Sequence, residues 1–278
     1  MGNASSIWPN RLRKQIFTQR KNIETGGRGF KSRRNYSTFV KSQMTSQNLL
    51  GFVAPWKDPS GKTLGPLEII MSRRFTITYL ILVWSYIIFI VEAQDGDRLY
   101  TMKEFFYQFD RMDSNELIPN PVGFLFTLFT APFSHWDRVH AIYVTGGVLF
   151  FIQSFEAHNN WKHCAIIFIG TSATTSFLFS IFFNVGFSIY PDVDMFAHVM
   201  GRTFKGGSIG MFGTLGALSY HAKRPQYPLI LVFMFEVWNY TSFGTDGAIS
   251  LGHATSMLIG WSTWRWWNGK GEQCDESE

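Results

Sequence analysis

The chain has 278 residues, 46% of them hydrophobic and only 16% charged. Soluble domains carry about 25% charged residues, so this deficit argues against an ordinary soluble fold and for a polytopic membrane protein. The net charge of +5 is no sign of nucleic-acid binding: ten Lys/Arg and one acid fall in the first 41 residues, and the remainder is net −4.

Residues 1–36 are rich in Arg, Ser and Asn and have no long apolar core, the composition of a mitochondrial transit peptide. "RRNYSTF" predicts cleavage after Tyr36, with Arg34 behind it. A competing signal is "MGNASS", which fits the myristoylation pattern at Gly2 and Ser6. Residues 37–74 read as a polar, matrix-side linker broken by Pro55, Pro59 and Pro66.

"FTITYLILVWSYIIFIV", residues 75–91, is long enough to span a bilayer. A polar, acidic connection covers residues 94–121, and the apolar run 124–133 reads as a short lead-in to the second span. Five more spans are predicted, at about 139–155, 163–185, 207–222, 227–238 and 248–264. The expected fold is therefore all-α: a six-helix membrane domain over residues 75–267, with a polar tail at 268–278. Cys164 and Cys274 are too few for a disulfide framework.

Charge sets the expected topology. Arg73, Arg74, Lys162, Lys223, Arg224, Arg265 and Lys270 fall on one side of six spans, and most acids fall on the other. Import into mitochondria then puts the basic side in the matrix and the acidic side in the intermembrane space.

Three polar residues share one layer near the acidic face. Ser208 opens span four, His253 lies about five residues into span six, and His140 opens span two. At 1.5 Å per helical residue all three lie within roughly two turns of that face. Polar groups at this depth are costly and face a bundle interior or a wet cavity. Small residues say which helices touch: Gly206, Gly210, Gly213 and Ala217 recur along span four, and Gly252, Ser256 and Gly260 along span six. Close approach is what a Ser208–His253 hydrogen bond needs, and a serine alcohol needs an adjacent base to become a nucleophile. The string "GGSIG" also matches a nucleophile elbow, but that motif requires a preceding strand and a soluble sheet.

These residues resemble the rhomboid family of intramembrane serine proteases. "GGSIGMFGTLGAL" is similar to the family's GxSG stretch, with Ser208 at the nucleophile and Gly213 at the later glycine. "GHATSMLIG" is similar to its AHxxGxxxG stretch, with His253 at the base and Gly260 at the last glycine. "SHWDRVHAIYV" resembles its HxxxxHxxxN stretch, with His135 and His140 at the histidines, and "QSFE" resembles the acidic end of the second helix. The resemblance implies a Ser208–His253 dyad that cleaves transmembrane segments of other proteins. His140 and the Gly206–Gly207 backbone would lie at the oxyanion and substrate site. It implies a lipid-embedded enzyme with no metal or cofactor, its active face toward the intermembrane space.

The sequence departs from the family at two places near the site. Val144 stands where the family has an Asn, and Ile209 stands where it has a glycine after the serine. Loss of one oxyanion donor costs about 10²–10³ in rate. Two functions therefore stay open: an inner-membrane rhomboid-type protease, or an inactive rhomboid-like protein that binds or guides transmembrane segments.

Overall fold

The computed structural model describes residues 49–92, 110–201, 203–243 and 246–274. The leader at 1–36, most of the acidic connection and the first part of the linker lie outside these residues. The described chain is mostly helical. A short helix, α1 (Pro66–Ser72), lies in the linker ahead of the first long helix. Its first turn is closed by Glu68, whose carboxylate accepts the Gly65 N–H at 2.9 Å. That bond holds the Glu68 carboxyl below the usual carboxylate range.

Three stretches are long and apolar enough to cross a membrane. The first joins α2 (Arg74–Tyr86) to a π-helical turn ending at Val91. The second joins α4 (Arg138–Gly147), a π-helical turn (Val148–Ile152) and α5 (Gln153–His158). The third is α6 (Trp161–Ile189), about 43 Å long at the helical rise. The apolar run before the second stretch forms α3 (Pro121–Thr130), too short to span alone. Their starts follow local capping rules. Asn120 accepts the Gly123 N–H ahead of Pro121, Asp137 accepts the His140 N–H, and Asn160 accepts the His163 N–H.

The remaining helices are α7 (Asp194–Met200), α8 (Ser208–Leu218), α9 (Gln226–Phe243) and α10 (Gly247–Cys274). The expected fourth span is shorter than the sequence suggested. α8 has 11 residues, about 16 Å, and a 3₁₀ turn (Ser219–His221) takes over at its end. It sits at the centre of the bundle, with every residue from Gly210 to Leu218 buried. A helix walled by other helices need not match the bilayer thickness by itself. α10 continues into the polar tail, to Cys274.

The core gathers Tyr79 and Val83 from α2, Val144 from α4, Phe155 from α5, Phe168 from α6, Leu215 from α8 and Trp264 from α10. Large apolar side chains also cover the outside, including Ile81 and Leu82 on α2, Ile166 on α6 and Phe233 and Met234 on α9. So much exposed apolar surface suits lipid rather than water.

Polar groups tie the helices at one end of the bundle. The buried Glu156 carboxylate of α5 accepts the Phe75 N–H at 2.8 Å, and the Thr76 N–H and hydroxyl at 3.0 and 2.8 Å. It caps α2 from across the bundle, satisfying N–H groups that have no partner inside their own helix. Arg73 beside it donates to Gln153 and to the Lys57 carbonyl.

Candidate active site

A two-stranded antiparallel pair leads the chain to Ser208. β1 (Met112–Asp113) faces β2 (Thr203–Phe204), with Met112 opposite Phe204. Lys205 follows, its ammonium 3.2 Å from Asp110 and 4.6 Å from the centre of the Trp136 ring. The chain then passes through two glycines in a space that admits no side chain. Gly206 has φ +120, and a Cβ there would lie 2.3 Å from the His140 ring. A Cβ on Gly207 would lie 1.7 Å from the Tyr79 hydroxyl. The Gly206 N–H donates to the Ala131 carbonyl at 3.0 Å, which fixes the turn before α8 begins at Ser208.

His253 reaches this point from α10. Asp246 starts that helix by accepting the Ala248 N–H at 2.8 Å. Further along, α8 and α10 touch backbone to backbone: a Cβ on Gly260 would lie 1.9 Å from the Gly213 carbonyl oxygen. The Ser256 hydroxyl donates to the Ile209 carbonyl at 2.6 Å, so this serine cross-links the same two helices.

Close packing brings the Ser208 hydroxyl to 3.0 Å from His253 Nε2. The Phe212 ring, one turn after Ser208, stacks on the imidazole with centroids 4.1 Å apart. On its other nitrogen, His253 Nδ1 lies 3.0 Å from Glu236 Oε1 of α9. Glu236 is 5% exposed and His253 likewise 5%. Serine, imidazole and carboxylate thus form an unbroken chain through three helices.

Ser208, His253, Glu236, His140, Lys205 and Asn239 all line one cavity of ≈ 410 Å³. The His140 ring faces the turn at Gly206. His135 is fully buried behind it, with ring centroids 5.0 Å apart. The first N–H groups of α8 have no carbonyl partner within their own helix, and its dipole puts partial positive charge at Ser208. Val144 sits in the core, fully buried and away from the cavity lining, so it offers the site nothing polar. Among the described residues no group of three His, Cys, Asp or Glu is placed to hold a metal ion.

All the site residues expected from sequence gather here or along the α8–α10 seam. Glu236 and Phe212 were not foreseen. A signal for the glutamate was present, since it is the single acid in the apolar run 227–238 and intramembrane acids are costly. His198, to which the sequence assigns no role, lies 2.9 Å from Asp246. No family model, curated protein or solved structure matches this chain.

Proposed function

We propose that the protein is an intramembrane serine protease that cleaves the transmembrane segments of other membrane proteins, with Ser208 as nucleophile and His253 as base. The observation that carries this reading is the 3.0 Å contact between Ser208 Oγ and His253 Nε2 in a cavity. Ser208 Oγ attacks the peptide carbonyl carbon and its proton passes to His253 Nε2. His253 returns that proton to the leaving amine as the C–N bond breaks, and water then hydrolyses the acyl-enzyme by the same route in reverse. The α8 N–H groups and His140 supply the charge stabilisation at the developing oxyanion.

The reading includes a six-span, rhomboid-like arrangement in the mitochondrial inner membrane, with residues 1–36 removed on import. In this arrangement α8, α9 and α10 complete the bundle, and the site opens toward the intermembrane space. Val144 favours a second reading, a rhomboid-like protein that binds transmembrane segments without cutting them.

The two separate in proteoliposomes loaded with a single-span peptide, fluorophore and quencher flanking its outer juxtamembrane segment. The protease reading predicts cleavage by the wild type and none by Ser208→Ala or His253→Ala. Binding of the peptide with no cleavage by folded wild type supports the second reading.

A further inference from the structure

Glu236 has no place in a serine–histidine dyad, yet it is the best-buried acid on α9 and it touches the base directly. The candidate explanations are a structural tie between α9 and α10 or a part in the chemistry. A tie alone is an expensive use of a carboxylate, because burying an ionised group in a membrane bundle costs several kcal/mol. A neutral amide would hold the two helices with less desolvation. The geometry is specific: Oε1 meets Nδ1 at 3.0 Å, on the far side of the ring from Ser208. Ser250, one turn before His253, presents its buried hydroxyl toward the same carboxylate, where Oε2 closes no hydrogen bond.

We propose that Glu236 is a positioning residue that turns the dyad into a Ser208–His253–Glu236 triad, an inference that rests on the protease reading above. An ionised carboxylate can only accept hydrogen bonds. It therefore holds the proton on His253 Nδ1 and leaves the Nε2 lone pair free to take the Ser208 proton. It also stabilises the imidazolium that forms once that proton has moved. Phe212 fixes the ring's plane from one face while Glu236 fixes its rotation. Other ionisable groups of the same cavity are His140 and Tyr143 on α4 and, beyond them, Lys205. The contact at Nδ1 is made by Glu236 Oε1, so this carboxylate sets the tautomer.

The test uses the full-length protein and a rhodamine fluorophosphonate as probe. Glu236→Gln should lower the maximal rate of Ser208 labelling about 10²- to 10⁴-fold with the probe's affinity unchanged. Glu236→Asp, which keeps the charge, should recover at least tenfold of that loss. A tie alone predicts the reverse pattern: Gln keeps the labelling rate, and Asp, a methylene shorter, loses it. Ring-¹⁵N histidine spectra give a second readout, independent of activity. His253 should carry its proton on Nδ1 in the wild type, and this single tautomer should be lost in Glu236→Gln. Wild-type labelling that Glu236→Gln leaves intact overturns the triad and spares the protease reading. A fixed Nδ1–H tautomer in a protein that never labels keeps the glutamate's positioning role and overturns the protease reading instead.

Discussion

At the scale of single residues, the site is a balance between what is retained and what is missing. Ser208 and His253 are within bonding distance, and Glu236 completes the chain of polar groups. Where the rhomboid pattern that the sequence resembles has an Asn, position 144 carries Val. Val144 lies one helical turn beyond His140 on the same face of α4, and helical side chains lean toward the N-terminus. An Asn there would lean toward His140 and the oxyanion site. Val144→Asn should raise the rate of fluorophosphonate labelling by about tenfold or more, at a stability cost of about 1–3 kcal/mol for the buried amide. An unchanged or lower labelling rate in folded protein would mean that the oxyanion is already served by the α8 N–H groups and His140. Ser208, His253 and His140 were legible in the sequence because their spacing from the span ends put them in one layer. Glu236 was not read, although a lone acid in an apolar span argues for the bundle interior; nothing in the sequence says that its partner there is His253.

At the scale of elements, small residues do the positioning. Position 260 on α10 leaves no room for a side chain beside the α8 backbone. Gly260→Val should therefore push the two helices apart, destabilise the fold by about 1–3 kcal/mol or more, and abolish Ser208 labelling, read together by thermal unfolding and probe incorporation. Retained labelling would show that the α8–α10 seam does not set the serine–histidine distance. The small-residue periodicity made this seam readable before any coordinates, since Gly213 and Gly260 recur at helical spacing on facing helices. The length of α8 was not readable. Burial runs on to Ser219 and Ala222, but the helix gives way to a 3₁₀ turn after Leu218. Apolarity reports burial, and in a central helix burial continues past the point where the helix ends. α10 runs on through the polar segment after Trp267 to Cys274, because polarity alone does not end a helix.

At the scale of the whole molecule, three stretches are apolar and long enough to cross a membrane, and the short helix that carries Ser208, buried from Gly210 to Leu218, packs among them and against α10. This arrangement protects a serine–histidine pair from bulk water while leaving it a cavity of ≈ 410 Å³. The proposed direction in the membrane rests on the asymmetry of charge in the sequence, with Arg73 and Lys223 on one side of the expected spans and Asp110 and Asp246 on the other. The site lies toward the acidic end, near the segments that begin α8 and α10. Every step of the proposed chemistry depends on Ser208 being a nucleophile in the folded, membrane-embedded protein. The most direct measurement is to treat the reconstituted full-length protein with a fluorophosphonate and map the adduct by mass spectrometry. The account predicts one adduct, on Ser208, absent in His253→Ala; a folded wild-type protein that carries no adduct there would contradict it.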